Sequence, residues 1–105
     1  MSSFVLTPVA VEDLREIASW LAEQAGEAVA ERVENGLFAS FQRLADTPGL
    51  GHRRSDLTKR PLVFFTINPY LIVYQRDISP IIIHAILHGA RDVKRTLLGR
   101  ASTTL

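Results

Sequence analysis

The stretch YLIVYQRDISPIIIHAILHGARD, residues 70–92, decides how this chain folds. Two apolar runs rich in β-branched and aromatic side chains, 71–75 and 81–87, predict two β-strands. The residues between them, 77–80, are typical of a short turn, so the strands should lie side by side and antiparallel. Asp92 is suited to cap a short last helix that ends before Gly99.

A third apolar run, Leu62 to Ile67, precedes these strands, and only Asn68-Pro69 separates it from the next one. Such short connections favour an antiparallel meander of three strands. Before the meander, Thr47 to Pro61 holds two prolines, two glycines and five basic or histidine side chains. This composition is typical of an exposed loop.

The N-terminal half predicts two helices joined by a short turn. Thr7-Pro8 suits an N-cap followed by proline at the first helical position, Gly26 suits a helix end, and the second helix should stop before Thr47. In both helices apolar residues recur at spacings of three and four, which creates one apolar face. They are Leu14, Ile17, Ala18, Leu21 and Ala25, followed by Val29, Val33, Leu37, Phe41 and Leu44. The acidic side chains expected to face water are Glu12, Asp13, Glu16 and Glu23.

The composition is that of one globular domain. A chain of 105 residues, 47% of them hydrophobic, can bury one core, and we expect a single domain over residues 1–105, with its core at about 4–98 and a frayed tail at 99–105. With no cysteine and three histidines, we expect neither a metal site nor a cofactor. No signal-peptide pattern or membrane-spanning run occurs, so we expect a cytoplasmic protein without a membrane partner.

The net charge of +1 conceals an asymmetry between the two halves. Residues 1–46 carry eight acidic and three basic side chains, whereas residues 47–105 carry three acidic and nine basic ones. The C-terminal half should therefore attract an acidic partner or a phosphate backbone, unless these are ordinary surface charges. No recognition-helix motif accompanies the basic residues, and we do not expect direct nucleic-acid binding.

Both faces of the predicted sheet are apolar. Side chains alternate between the faces along a strand. One face is expected to hold Ile81, Ile83, Ala85 and Leu87, and the other Ile82, His84, Ile86 and His88. The helical hairpin can cover only one face, which would leave apolar surface that a monomer rarely exposes. We therefore expect another chain across the second face, unless the last helix and the loop cover it completely.

Short motifs along the chain occur in an order and spacing that carry a family resemblance. They are Leu6 and Pro8, Glu12-Asp13-Leu14 with Ile17, Pro48-Gly49-Leu50-Gly51, Tyr70-Leu71-Ile72-Val73-Tyr74, and Leu87-His88-Gly89-Ala90-Arg91-Asp92. Over about residues 4–98 the chain resembles the ParE/RelE superfamily of bacterial toxins, most closely its ParE branch. The resemblance implies an α+β fold of β-α-α-β-β-β-α order, with the helical hairpin packed on an antiparallel sheet and a short C-terminal helix.

The function that this resemblance implies is that of a toxin in a type II toxin–antitoxin system, acting against DNA gyrase without catalysis. The implied partner is a cognate ParD-like antitoxin whose C-terminal segment folds as it wraps the toxin into a hetero-oligomer. One alternative is a RelE-like ribosome-dependent endoribonuclease that cleaves messenger RNA. The other is an inactive relative that only binds its antitoxin.

The nuclease alternative requires a general acid, a general base and cations around one phosphate. The residues that could serve it are His88, Arg60, Arg76 and Arg91. His84 lies among isoleucines, where we expect a histidine with a hydrogen-bond partner inside the core. In RelE-like nucleases a tyrosine or histidine near the C-terminus contributes to catalysis, and in this chain neither residue follows His88. We therefore expect no enzyme. The candidate contacts with antitoxin or target are Arg53, Arg54, Arg60, Tyr74, Arg76, His88, Arg91, Lys94 and Arg95.

Overall fold

The computed structural model describes residues 3–89. Two helices pack on one face of a five-stranded mixed sheet, which confirms the α+β class. The elements are β1 (Phe4–Leu6), α1 (Pro8–Ala25), α2 (Glu27–Asp46), β2 (His52–Arg53), β3 (Val63–Ile67), β4 (Tyr70–Gln75) and β5 (Ile81–His88). The centre of the core between helices and sheet consists of Leu37, Phe41, Leu44, Ile72, Tyr74 and Ile83.

The strand order in the sheet is β1-β5-β4-β3-β2. The last three strands form the predicted antiparallel meander. β1 runs parallel to β5 on one side of the meander, and the long crossover through both helices permits that pairing. β2 lies in the region predicted as loop and adds a two-residue edge strand beside β3. The sheet is therefore mixed around an antiparallel centre.

The ends of both helices follow the predicted signals. The Thr7 side chain accepts a hydrogen bond from the backbone N–H of Ala10 at 3.1 Å, and Pro8 is the first helical residue. Gly26, with a φ of 96°, separates α1 from α2, and this left-handed backbone conformation favours glycine. α2 ends at Asp46, one residue before Thr47.

A β-bulge in β5 changes which of its side chains face the helices. The pairing with β4 shifts in register so that His84 is an extra residue in β5. Ile83 faces the helices before the bulge, and Ile86 faces them after it. Ala85 and Leu87 lie on the opposite face. The prediction that the odd-numbered residues of 81–87 share one face is therefore wrong, because the extra residue inverts the alternation.

Most of the face of the sheet away from the helices is buried within this chain. Val5, on the edge strand β1, is 46% exposed, but six other apolar side chains of this face are between 0% and 9% exposed. They are Leu62, Phe64, Leu71, Val73, Ala85 and Leu87. Leu57, from the loop before β3, folds back and packs against them. The expectation that this face stands open for another chain is therefore wrong, and a partner surface has to be sought elsewhere.

Some predictions fall outside the part of the chain that the structure describes. The short last helix after Asp92 and the tail 99–105 are among them. The organisation of the whole chain as one domain stays a prediction. Neither described helix is long and apolar enough to cross a membrane.

Candidate partner-binding surface

Two hydrogen bonds tie the beginning of α1 to the bulge in β5. The Thr7 hydroxyl donates to the carbonyl oxygen of His84 at 3.1 Å, and the backbone N–H of Ile86 donates to Oδ2 of Asp13 at 3.0 Å. A bulge interrupts the ladder of strand hydrogen bonds, and these contacts satisfy the backbone groups beside it. Asp13 is accordingly 7% exposed. The prediction that it faces water is therefore wrong, because the bulge needs an acceptor at this point.

Tyr74 anchors the loop that follows α2. Its hydroxyl donates to the carbonyl oxygen of Pro48 at 2.7 Å and accepts the backbone N–H of Gly51 at 2.8 Å. Burial raises the pKa of the phenol, so the hydroxyl stays protonated and can donate. The side chain is fully buried. Tyr74 was a predicted partner contact, but in this fold it belongs to the scaffold that positions the loop.

Three of the predicted basic contacts lie where β3 begins and β4 ends. Arg53 in β2 pairs with Val63, the first residue of β3. Arg60 precedes β3, and Arg76 follows β4 and donates through Nη1 to the carbonyl oxygen of Gly51 at 3.2 Å. We name this region the basic end; it comprises Arg53, Arg60 and Arg76, all of them exposed. Arg54 is exposed as well, but it lines a recess with Asn68 and Gly89 at the other end of the sheet.

Arg54 and His84 already have partners within the chain. Arg54 donates through Nε and Nη2 to the two carboxylate oxygens of Asp56, at 3.0 and 2.9 Å, and this pairing raises the pKa of its guanidinium. Burial, with a smaller contribution from the charge of Arg60, lowers the pKa of His84. Nε2 of His84 lies 3.3 Å from Oε1 of Gln75. His84 is thus a neutral, half-buried histidine with a hydrogen-bond partner.

His88 lies at the other end of the sheet. It pairs with Tyr70, the first residue of β4, and the two rings meet edge to face with their centroids 5.5 Å apart. β4 is six residues long, and Arg76 follows its last residue. At about 3.3 Å per residue, His88 and Arg76 are therefore roughly 20 Å apart. The fold does not bring His88 together with Arg60 and Arg76, as a nuclease site would require.

An open groove of about 580 Å³ lies between α1 and this end of the sheet. We name it the Trp20 groove; its lining residues are Glu16, Ile17, Trp20, Tyr70 and His88. Trp20 is 56% exposed, more than any other large apolar side chain of residues 3–89. The sequence reasoning missed Trp20. The sequence feature that indicates an exposed tryptophan is its position on the polar side of α1, four residues after Glu16 and three before Glu23.

The exposed apolar side chains lie mainly on the helical side of the molecule. Among the described residues, the large ones are Val5, Val11, Trp20, Phe38 and Ile78. Three of these five belong to α1 or α2. The helical layer therefore offers more apolar contact surface than the buried second face of the sheet. Three further predicted contacts, Arg91, Lys94 and Arg95, lie outside the described residues.

Comparison with known proteins identifies the family. The family model described as the ParE toxin of the type II toxin–antitoxin system parDE matches residues 4–93. A solved structure described as the chromosomal ParDE TA system from P. aeruginosa has a similar fold, with a TM-score of 0.72 and 19% sequence identity over 85% of this chain and 97% of that chain. No curated protein matches the sequence. Since the family model covers most of its length, this chain belongs to the ParE toxin family of type II toxin–antitoxin systems.

Proposed function

We propose that this chain inhibits DNA gyrase in the bacterial cytoplasm and is held inactive by a cognate ParD-like antitoxin. The observation that carries the proposal is the match of residues 4–93 to the ParE toxin family. The motifs that resemble the ParE branch, among them the loop Pro48 to Gly51 and the strand Tyr70 to Tyr74, support gyrase as the target. In this fold both motifs are joined through the Tyr74 hydroxyl.

The toxin acts by binding another macromolecule and not by catalysis. Cleavage of RNA through its 2′-hydroxyl requires an acid, a base and cations around one phosphate. His88 and Arg76 are separated by roughly 20 Å at the usual rise of a strand. A single phosphate cannot contact both side chains at that distance. The separation supports an inhibitor that presents a surface to its target.

The basic end and the helical layer are the two parts of that surface. The exposed guanidinium groups of Arg53, Arg60 and Arg76 can pair with acidic residues of the antitoxin or with phosphates of gyrase-bound DNA. Trp20 and Phe38, exposed on the helices, can receive apolar side chains of the antitoxin. A segment that folds on binding can reach both regions, because such segments cover a large area with a short chain.

Controlled expression in bacteria tests the proposal. The chain expressed alone should arrest growth, cause filamentation and induce the DNA-damage response. Co-expression with the adjacent reading frame should restore growth and yield a complex that copurifies, and removal of the C-terminal half of that partner should abolish both effects. Normal growth with a soluble toxin would instead indicate an inactive relative. Codon-specific cuts in messenger RNA on purified ribosomes would indicate a nuclease.

Charge reversal at the basic end separates partner binding from folding. The double variant Arg53→Glu, Arg60→Glu should fold normally because both side chains are exposed, and it should bind the antitoxin or gyrase about 10-fold or more weakly. Arg32→Glu reverses one exposed arginine on α2 and is the control for each of the single variants, Arg53→Glu and Arg60→Glu. An equal loss in the control would show that only net charge matters and that the basic end is not a contact surface.

A further inference from the structure

The Trp20 groove differs in its chemistry from the basic end. Trp20, Tyr70 and His88 contribute aromatic rings, Glu16 contributes a carboxylate, and no lysine or arginine lines the groove among residues 3–89. The edge-to-face contact between the rings of Tyr70 and His88 fixes the wall of the groove on the side of the sheet. The ring of Trp20, more than half exposed, forms the opposite wall on α1. The groove is therefore an aromatic recess with an acidic rim.

The carboxylate of Glu16 is available to a partner. Within residues 3–89 it takes part in no ion pair or hydrogen bond. The neighbouring Glu12, in contrast, pairs with Arg15 at 3.4 Å. The excess of acidic over basic side chains in residues 1–46 makes the field around the helices negative. Both the local carboxylate and this wider field favour a cation in the groove.

We infer that the Trp20 groove binds the side chain of one lysine or arginine from the antitoxin. Aromatic faces attract cations through the ring quadrupole, and an adjacent carboxylate adds a charge-assisted hydrogen bond. Within the described part of the chain no lysine or arginine lines the groove, and in this inference the partner supplies the cation. This inference rests on the proposed function, because the antitoxin is the chain that covers the exposed helical layer.

Fluorescence of the toxin reports on the groove directly, because Trp20 is the only tryptophan of the chain. The probe is the purified product of the adjacent reading frame, with any tryptophan of its own replaced by phenylalanine. Binding should shift the emission of Trp20 to shorter wavelength. Glu16→Gln should weaken binding about 3- to 10-fold and reduce its dependence on salt. Trp20→Leu removes the fluorophore, so its binding is measured by titration calorimetry and should be about 2- to 5-fold weaker. Glu31→Gln removes the same charge at an exposed position of α2 outside the groove; it should weaken binding less than Glu16→Gln does and should leave the shift of Trp20 emission unchanged.

A double-mutant cycle identifies the cation on the antitoxin. Replacing one lysine or arginine of the antitoxin by glutamine should weaken its binding to the wild-type toxin and should weaken its binding to Glu16→Gln by a smaller factor. A complex that forms without a shift in Trp20 emission, or without any residue coupled to Glu16, would overturn the inference and leave the proposed function standing. A failure to form the complex at all would overturn the proposed function itself. A change in the emission of the isolated toxin on Arg91→Gln would show that this chain fills its own groove, which also overturns the inference.

Discussion

Gly51→Ala should destabilise the protein strongly, because an added methyl group has no room beside Tyr74. A Cβ at position 51 would lie 2.5 Å from the Tyr74 hydroxyl oxygen, 2.7 Å from its Cε1 and 2.9 Å from its Cζ. The Tyr74 side chain is fully buried and cannot move aside without leaving the core. Overpacking of this kind costs about 1–3 kcal/mol. Breaking the bonds of the hydroxyl to Pro48 and Gly51 leaves buried polar groups unsatisfied, at about 1–3 kcal/mol more.

The expected loss in the free energy of unfolding is therefore about 2–6 kcal/mol, measured by urea denaturation with circular dichroism. Gly49→Ala is the control in the same loop, where nothing lies within 4 Å of an added Cβ, and it should change stability by less than about 0.5 kcal/mol. Tyr74→Phe should cost about 1–3 kcal/mol. The double variant Gly51→Ala, Tyr74→Phe should lose less than the sum, because both changes break the same hydrogen bonds. If Gly51→Ala is as stable as Gly49→Ala, Tyr74 does not anchor this loop and the reasoning is refuted.

Three further changes probe the junction between α1 and β5 and the bulge itself. Asp13→Ala should lower the free energy of unfolding by about 1–3 kcal/mol, because a buried backbone N–H of β5 loses its acceptor. Asp13→Asn keeps an acceptor oxygen and should lower it less. Equal losses would contradict the role of Asp13 as that acceptor. Thr7→Ala should cost about 1 kcal/mol through loss of the helix cap, whereas Thr7→Ser retains the hydroxyl and should stay near the wild-type midpoint in urea. Burial lowers the pKa of His84, so its folded form binds a proton less readily than its unfolded form. Its contribution to stability should be complete above about pH 6.5, decline as the pH falls below that value and level off below the folded pKa. In urea titrations at several pH values, His84→Gln should remove this decline in stability at low pH, and the exposed control His52→Gln should keep it. An unchanged decline in His84→Gln would refute the role given to His84.

Elements whose signals are local were predictable from the sequence. The cap at Thr7, the stop at Gly26 and the end of α2 before Thr47 depend on residues within one turn of the helix, and the structure has them at these positions. The three strands of the meander likewise follow from β-branched runs between short turns. Their bounds differ from the prediction by one residue at most.

The bulge at His84 was not predictable from alternation, because it arises from the pairing between two strands. The alternation of side chains along one strand cannot reveal a bulge, because a residue is extra only in relation to the strand with which it pairs. The misplacement of Ala85 and Leu87 follows from that one insertion. The burial of Asp13 has the same origin, since its acceptor is needed only where the bulge interrupts the ladder. Its spacing from Ala10 and Leu14 would have placed it on the buried side of α1.

The candidate site was predictable as a set of residue types but not as an arrangement. The basic residues of the loop and of the turn after β4 were identified, and the strand register explains why Arg53 and Arg76 lie at one end and His88 at the other. Tyr74 was misassigned because an aromatic residue in a strand gives no sign of which groups its hydroxyl will meet. Trp20 was overlooked because a single aromatic residue on a polar face does not alter the apolar period of the helix.

Supercoiling of DNA by purified gyrase, with the purified toxin present, is the most direct test of the central claim that this ParE-family chain is a gyrase inhibitor neutralised by its antitoxin. We predict that supercoiling falls and cleaved DNA accumulates as toxin is added, and that an equimolar amount of the antitoxin reverses both effects. Full supercoiling activity in the presence of a folded toxin that arrests growth in cells would contradict the claim.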